Sequence, residues 1–177
     1  KQNGVDSYNH NLETAQSNFA HICTTHSFES RFETCQNALS AGLKLCSGGI
    51  YGLGESVAQR IELLSALKSL NPHSSPINFY IPNPALPLAN AVMTRDEALE
   101  TIIMAREMLR DSILMLAGGR ELVFGDNQRE IFKYGIDAIV LGDYLTTSGE
   151  APHKDLSMLS NYNLKIGNLI ADRKCAS

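Results

Sequence analysis

The sequence predicts an α/β protein with a parallel sheet, and three observations lead to this fold class. Short apolar segments alternate with longer segments of helical periodicity along the 177 residues. The short segments end near Tyr8, Cys46, Asn78, Met115 and Leu141, at intervals of 26–38 residues. A complete eight-fold α/β barrel of about 250 residues averages about 31 residues per strand–helix unit. We therefore interpret the chain as five consecutive βα units of a (β/α)8 TIM-type barrel, with a doubly wound open sheet as the structural alternative.

The first two long helices are predicted from apolar residues spaced three and four apart. Residues 27–41 form the first, with Ser27 as its N-cap, and residues 56–70 form the second, with Ser56 as its N-cap. The predicted buried face of the second helix consists of Val57, Ile61, Leu64 and Leu67.

The later helices are predicted mainly from capping residues. Thr94 and Glu97 form a predicted capping box for a helix that extends to about Arg110. Asp126 is predicted to cap a short helix, and the last helix is predicted to begin at Asp155. Short strands are predicted at residues 43–46, 76–81, 113–116 and 138–141.

The composition is that of an ordinary globular chain, with 44% hydrophobic residues, 19% charged residues and a net charge of −4. There is no block of Lys and Arg, so no nucleic-acid partner is expected. No apolar run reaches the roughly 20 residues that a membrane helix requires. The four cysteines lack paired spacing, which predicts a reducing, cytoplasmic environment. The first residue is not Met, so we expect the chain to begin inside a longer one.

Polar and glycine-rich residues follow each predicted strand, where active sites lie in parallel α/β folds. Three asparagines offer amide groups that suit a neutral polar ligand: Asn9, Asn11 and Asn78. Glu13 can accept hydrogen bonds from the vicinal hydroxyls of a ribose. Gly48, Gly49 and Gly52 allow a close approach of backbone to a ligand. This pattern favours an enzyme over a structural domain.

Four motifs between about residue 5 and residue 159 carry a family resemblance: YNHNLET, KLCSGGIYGLGE, SPIN and AGGRE. In this order and spacing they resemble biotin synthase, a radical S-adenosylmethionine (SAM) enzyme. The GxIxGxxE-like element at residues 49–55 is shared with other radical-SAM enzymes and is less specific. The resemblance implies that residues 1–160 supply strands four to eight of a radical-SAM barrel, followed by a polar tail at residues 161–177.

The resemblance also implies a reaction, the sulfur insertion that converts dethiobiotin to biotin in the last step of biotin biosynthesis. In the family, a [4Fe–4S] cluster binds SAM and cleaves it to methionine and a 5′-deoxyadenosyl radical. That radical removes hydrogens from dethiobiotin, and an auxiliary iron–sulfur cluster, [2Fe–2S] or a variant of it, donates the sulfur. The implied partners are an electron donor such as flavodoxin or ferredoxin and a second copy of the chain in a homodimer.

The motifs assign roles to individual residues by resemblance. Asn11 matches the family residue that contacts dethiobiotin, Asn9 lies beside it, and Asn78 matches the asparagine near substrate and SAM. Glu13 stands where the family usually has Asp for the SAM ribose. The remaining cofactor-binding expectations are SAM binding at Gly49, Ile50 and Gly52, and ligation of the auxiliary cluster by Cys46.

Two departures from the family pattern limit what the resemblance implies. Met115 stands where the family has the arginine of the auxiliary cluster, so the type and ligation of that cluster stay open. The sequence lacks the CxxxCxxC motif that holds the SAM cluster. We therefore expect the isolated chain to be inactive toward SAM. His10 is expected to have a structural or supporting role, and Cys35 is expected to be a core residue.

Three alternatives remain open on the sequence. The first is another radical-SAM enzyme, of the methylornithine synthase or hydrogenase-maturation type. The second is a barrel enzyme that binds a phosphorylated metabolite through Gly118, Gly119 and Gly142. The third is a non-enzymatic, degenerate barrel remnant whose exposed strand edges require a covering partner.

Overall fold

The computed structural model describes residues 1–88, 92–144 and 147–167. The strands are β1 (Ser7–Asn9), β2 (Lys44–Cys46), β3 (Gly49–Tyr51), β4 (Ser74–Phe79), β5 (Ile113–Leu116) and β6 (Ala138–Ile139). The helices are α1 (Gln16–Ile22), α2 (Phe28–Ser40), α3 (Val57–Leu70), α4 (Arg95–Met108), α5 (Arg120–Phe124), α6 (Arg129–Lys133) and α7 (Pro152–Asn161). Within these ranges, no helix combines the length and apolar character needed to cross a membrane.

The chain divides into two compact units, residues 1–140 and residues 141–177. The first unit contains the whole sheet, and the second contains α7. The predicted boundary between barrel and tail at residue 160 stays a prediction. Part of that tail, residues 168–177, lies outside the described residues.

The six strands form one parallel sheet in the order β1-β2-β4-β5-β6, with β3 also paired to β4. β2 and β3 are consecutive stretches of a single pass of the chain, separated only by Ser47 and Gly48. Across the described sheet, neighbouring strands therefore follow chain order, without the reversal that a doubly wound sheet requires. The predicted partial barrel is confirmed, and the doubly wound alternative is wrong.

The apolar core lies where the helices cover the sheet. Its fully buried members come from both layers: Leu45, Ile77, Leu114 and Leu116 from strands, and Leu64, Leu67 and Ile102 from helices. A parallel sheet needs helices on its outer face because each crossover returns the chain over that face. Cys35, with no exposed surface, belongs to this core as expected.

The capping residues read from the sequence begin the three long helices where predicted. The Ser27 hydroxyl accepts a hydrogen bond from the Ser30 backbone N–H at the start of α2. Ser56 at α3 and Thr94 at α4 each form a complete capping box with the residue three positions later. These side chains satisfy backbone N–H groups that the first helical turn leaves unpaired.

The predicted buried face of α3 is wrong in its first half. Val57 and Ile61 are 54% and 44% exposed, whereas Leu64 and Leu67 are buried as predicted. The buried face begins instead with Arg60, whose partner is a buried carboxylate. Apolar spacing assigns a buried face to apolar residues, so it misses a face that starts with an ion pair.

The shorter elements differ more from the sequence prediction. Helix α6 begins after Gln128 with no side-chain cap, so the predicted cap at Asp126 is wrong. Helix α7 begins at Pro152, earlier than predicted, because proline is well suited to the first helical position. Helices α1 and α5 were not predicted, since seven and five residues are too few to establish a helical periodicity.

Candidate functional site

Six of the eight predicted site residues form three pairs of register partners in the sheet. The pairs are Asn9 with Cys46, Glu13 with Gly49, and Ile50 with Asn78. Register partners on adjacent parallel strands lie side by side. The structure therefore gathers residues from three separate motifs at the carboxyl ends of β1 to β4, where ligands bind in this class of fold.

Cys46 is the last residue of β2, and its thiol is half-buried. Its Sγ accepts a long hydrogen bond of 3.7 Å from Asn9 Nδ2. A thiol with one weak hydrogen bond within the described residues is available to coordinate iron as a thiolate. Among residues 1–88, 92–144 and 147–167, no group of three or more His, Cys, Asp or Glu side chains is placed to hold a metal ion. Cys46 could therefore supply one ligand to a metal ion or cluster, and this role stays a prediction.

Residues 10–13 continue the parallel pairing beyond the end of β1. The backbone hydrogen bonds are His10 N to Cys46 O at 3.0 Å, Leu12 N to Gly48 O at 2.9 Å, and Ile50 N to Glu13 O at 2.7 Å. This ladder fixes the YNHNLET segment to the CSGGI segment. Two motifs that lie more than 30 residues apart in the chain thereby form one continuous surface.

Asn11 joins this ladder through its side chain. Its Oδ1 accepts a hydrogen bond from the Gly48 backbone N–H at 3.1 Å. Its Nδ2 has no acceptor within the part of the chain that the structure describes. An amide held through its oxygen presents its N–H donors in a fixed direction. Asn11 can therefore donate to a carbonyl oxygen of a bound molecule.

Glu13 combines an unusual backbone with a partly buried carboxylate. Its φ of 70° lies in the left-handed region, which residues with a side chain seldom adopt. Its Oε1 accepts a hydrogen bond from Arg31 Nη2 at 2.8 Å. Burial raises the pKa of Glu13, while the charges of Arg31 and His26 oppose that rise. Its Oε2 receives no donor from the described residues and is available to ligand hydroxyls.

Gly48 and Gly49 make close contacts with the protein itself. A Cβ on Gly48 would lie 1.9 Å from the carbonyl oxygen of Pro76, and one on Gly49 would lie 2.9 Å from that of Glu13. The expectation from the sequence was that these glycines let backbone approach a ligand. In the structure, their missing side chains let neighbouring strands approach one another. Residues 49–51 form strand β3, which pairs with β4.

Gly52 and the residues after it form a turn organised by Glu55. The Gly52 N–H donates to both carboxylate oxygens of Glu55, at 2.9 and 3.1 Å, and the Leu53 N–H donates at 2.7 Å. Arg60 Nε donates to the same carboxylate at 2.9 Å, and its Nη1 donates to Thr101 on α4 at 3.3 Å. The buried ion pair therefore ties the glycine-rich turn to helices α3 and α4.

The side-chain amide of Asn78 bridges two backbone segments. Its Nδ2 donates to the carbonyl oxygen of Gly49 at 3.2 Å, and its Oδ1 accepts from the Gly118 N–H at 3.1 Å. Both ends of the amide are thus engaged with backbone on either side of β4. Asn78 fixes the spacing between β3 and the segment after β5, and its second Nδ2 hydrogen remains for a ligand.

His10 lies beside this surface, where its ring stacks on Tyr8 at a centroid distance of 6.0 Å. Burial, together with the charges of Arg31 and His26, lowers the pKa of His10, so the neutral ring is favoured. Its buried Nε2 has no hydrogen-bond partner among the described residues. The supporting role expected for His10 stays a prediction.

The glycine pair Gly118–Gly119 is engaged in packing. The N–H of Gly118 donates to Asn78, and a Cβ on Gly119 would lie 2.3 Å from the carbonyl oxygen of Phe79. Gly119, at a φ of 80°, precedes the five-residue helix α5. These contacts explain by packing why glycines occupy both positions. They provide no specific support for the phosphate-binding alternative.

Three residues important for this geometry were absent from the sequence prediction: Arg31, Glu55 and Arg60. Glu55 ends the GxIxGxxE-like element, so its position in that motif was an available signal. Arg31 and Arg60 lie on helices amid apolar residues, and periodicity alone assigns such arginines to solvent. Only the tertiary structure identifies their carboxylate partners.

Comparison with protein families gives a match over residues 76–165 to the family described as Biotin and Thiamin Synthesis associated domain. The chain is 58% identical over 166 residues to the biotin synthase of Wolinella succinogenes, covering 94% of the chain and 60% of that protein. It is 59% identical over 162 residues to the biotin synthase of Helicobacter hepaticus, covering 92% of the chain and 57% of that protein. The chain thus spans about three fifths of the length of these relatives.

Two solved structures share the fold. A maturase of the [FeFe]-hydrogenase aligns with a TM-score of 0.75 and 15% identity, over 92% of this chain and 40% of that protein. A methylornithine synthase aligns with a TM-score of 0.71 and 14% identity, over 98% of this chain and 56% of that protein. At this level of identity, the likeness concerns the fold alone.

Proposed function

Because the chain belongs to the family of the Biotin and Thiamin Synthesis associated domain, we propose that it forms the substrate-binding and sulfur-donor side of a biotin synthase. The observation that carries the proposal is the identity of 58–59% to curated biotin synthases over more than nine tenths of the chain. The hydrogenase-maturation and methylornithine synthase alternatives have support at 14–15% identity only, which concerns their fold.

The residues have distinct parts in the proposed site. Asn11 donates from Nδ2 to the carbonyl of dethiobiotin, since its Oδ1 is held by Gly48. Asn9 orients the Cys46 thiol, and Asn78 sets the spacing of the strands around the ligands. These contacts orient a neutral polar substrate without introducing a charge.

SAM is proposed to bind along the Glu13 and Gly49–Gly52 segment. The free Oε2 of Glu13 accepts from the ribose hydroxyls, and the Ile50 and Gly52 backbone provides an extended surface beside it. Cys46 supplies one thiolate to an auxiliary cluster, whose type Met115 leaves open. When bound, SAM and the iron–sulfur clusters supply the radical and the sulfur. The surrounding protein positions the substrate and limits access of water.

The remaining parts of the proposal concern the whole protein. A cytoplasmic location, a flavodoxin or ferredoxin as electron donor, a [4Fe–4S] cluster for SAM and a homodimer follow from the biotin synthase assignment. The chain alone is expected to lack SAM cleavage. Incubation with iron, sulfide, a reductant and SAM under anaerobic conditions should yield no 5′-deoxyadenosine, and its formation would contradict this expectation.

A chimera tests the proposed function. The chain replaces the matching segment of the Wolinella succinogenes biotin synthase, in a bacterial strain that lacks its own biotin synthase. We expect growth on dethiobiotin, and at least a hundredfold loss of biotin formation after Cys46→Ser. Because the thiol makes one weak hydrogen bond within the described ranges, that substitution should leave the thermal midpoint of the chain within about 2 °C.

Cys23→Ser is the matched control, since Cys23 is also a partly exposed cysteine, and within the described residues its thiol hydrogen-bonds to Thr25 and His26, away from the candidate site. It should support growth like the parent chimera. A folded parent chimera that forms no biotin would reject the proposed function. Retention of full biotin formation by Cys46→Ser would reject the assignment of the thiol.

A further inference from the structure

One acceptor of the parallel ladder between the YNHNLET and CSGGI segments comes from a side chain. The His10 N–H donates to the Cys46 carbonyl at 3.0 Å. In a parallel ladder, a residue that donates to one partner accepts from the residue two positions later, which here is Gly48. The Gly48 N–H instead donates to Oδ1 of Asn11 at 3.1 Å. The Asn11 side chain therefore occupies the acceptor position that regular pairing gives to the His10 carbonyl.

The displaced His10 carbonyl receives a different donor, the thiol of Cys35. The Cys35 Sγ donates to this carbonyl at 3.3 Å. Cys35 lies on α2 and has no exposed surface, and burial raises the pKa of its thiol, which therefore keeps its proton. A carbonyl that faces a buried sulfur is unfavourable without a donor. The thiol thus stabilises the arrangement in which Gly48 bonds to Asn11.

The same thiol also contacts the CSGGI segment. The Ser47 Oγ lies 3.7 Å from the Cys35 Sγ, and Ser47 has no exposed surface. Because the single thiol proton is donated to the His10 carbonyl, the Ser47 hydroxyl is the donor to the sulfur. Cys35 therefore donates to the residue before Asn11 and accepts from the residue after Cys46. One helix side chain connects the two segments at the point where the ladder acceptor is exchanged.

We propose that Cys35 is a positioning residue that holds the Asn11 amide in the orientation that dethiobiotin requires. While the thiol binds the His10 carbonyl, the Gly48 N–H stays bonded to Oδ1 of Asn11, and Nδ2 is directed to the ligand. Without the thiol, the His10 carbonyl would accept the Gly48 N–H and release the Asn11 side chain. The inference rests on the proposed function for the identity of the ligand, and it extends the site to a cysteine of the core.

Scalar couplings across hydrogen bonds, measured by NMR on the chain itself, test the exchange of acceptors without enzyme activity. In the unsubstituted chain, the backbone nitrogen of Gly48 should couple to the side-chain carbonyl carbon of Asn11. Cys35→Ala removes the donor, so the coupling should move to the backbone carbonyl carbon of His10. Cys35→Ser keeps a donor of similar size, so the coupling to Asn11 should be retained. Coupling to Asn11 that persists in Cys35→Ala, or coupling to His10 in the unsubstituted chain, would overturn the inference.

Kinetics in the chimera provide the second test. Cys35→Ala should raise the KM for dethiobiotin about tenfold, because the Asn11 amide is released, and should change the KM for SAM less than about twofold. Cys35→Ser should keep the KM for dethiobiotin within about threefold of the parent chimera, because the hydroxyl also donates. With Asn11→Ala already present, Cys35→Ala should add little, since both act through one amide. An unchanged KM for dethiobiotin in Cys35→Ala would overturn the inference.

Ile102→Val is the matched control for the loss of core packing. Ile102 is fully buried on α4, which lies between β4 and β5 in the chain. The substitution removes one buried methyl group, much as Cys35→Ala removes one buried sulfur. It should lower the urea midpoint while the Gly48 coupling and the KM for dethiobiotin stay unchanged. A rise in that KM as large as in Cys35→Ala would assign the effect to general loss of packing and overturn the positioning role.

The two tests separate the failure of each proposal. A folded parent chimera that forms no biotin would reject the proposed function, and the NMR couplings would still decide whether Cys35 selects the acceptor of the Gly48 N–H. A Gly48 coupling that is the same in Cys35→Ala as in the unsubstituted chain would overturn the positioning role, whatever the chimera does.

Discussion

Replacement of Gly48 by alanine is expected to destabilise the chain by more than about 3 kcal/mol, which is a large part of the stability of a typical domain. The added Cβ would lie 1.9 Å from the carbonyl oxygen of Pro76 and 2.8 Å from its Cδ. The nearest contact is to backbone, which cannot rotate away as a side chain can. To avoid this clash, β4 must move away from β2 and β3. That movement would disrupt the candidate site.

Chemical unfolding by urea, followed by circular dichroism, measures this effect for Gly48→Ala against the unsubstituted chain. Gly54→Ala is the matched control, because a Cβ there meets no atom within 4 Å although the φ of Gly54 is 91°. The control should lose only the roughly 1–2 kcal/mol typical of a left-handed residue with a side chain. Equal losses in the two variants would show that the close approach of Gly48 to Pro76 is not what destabilises the chain.

Replacement of Glu55 by glutamine is expected to reduce the free energy of unfolding by about 3–5 kcal/mol, the usual effect of breaking a buried ion pair. The side chains of Glu55 and Arg60 are 3% and 8% exposed. Glutamine keeps the shape of the side chain, but its NH2 group replaces a carboxylate oxygen. That oxygen accepts hydrogen bonds from Gly52, Leu53 or Arg60. Arg60 then remains as a buried charge that has lost its ion-paired carboxylate.

Two further variants make this prediction specific. Glu55→Gln combined with Arg60→Met should be less destabilised than Glu55→Gln alone, because the unpaired charge is removed. Asp6→Asn breaks the exposed ion pair with Lys1, and such pairs contribute less than about 1 kcal/mol. A double variant that loses as much stability as Glu55→Gln, or more, would contradict this account. So would an Asp6→Asn variant with a comparable loss.

Glu55→Gln also bears on the site, because the carboxylate orients the N–H groups of Gly52 and Leu53. In the chimera, the variant should therefore raise the KM for SAM even at a temperature where it stays folded. A raised KM for SAM in the folded variant would show a local change in the glycine-rich turn, as distinct from global unfolding.

The helices and the family resemblance are the parts that local sequence determined best. Ser27, Ser56 and Thr94 begin their helices as predicted, because a capping hydrogen bond involves residues only three positions apart. The motifs pointed to a biotin synthase, and the family match and the high identity to curated relatives agree with that resemblance. The unit length similarly predicted a partial barrel, which the chain-ordered sheet confirms.

The glycine motif illustrates where sequence reasoning stops. The sequence predicts that Gly48 and Gly49 let backbone approach a ligand, yet in the structure their missing side chains make room for the backbone of Pro76 and Glu13. Both interpretations rest on the same conformational property of glycine, and the sequence does not contain the position of Pro76 relative to Gly48. The register of the sheet decides between them.

The sequence by itself determined the βα order, the long helices and the residue types gathered after each strand. Only the tertiary structure decided that Glu13 is held by Arg31 and that Glu55 is buried with Arg60. Only the sheet register brings Asn9 to Cys46 and Asn78 to Ile50. The physical reason is range: capping and periodicity act within one or two helical turns, whereas ion pairing and strand register depend on the packing of whole elements.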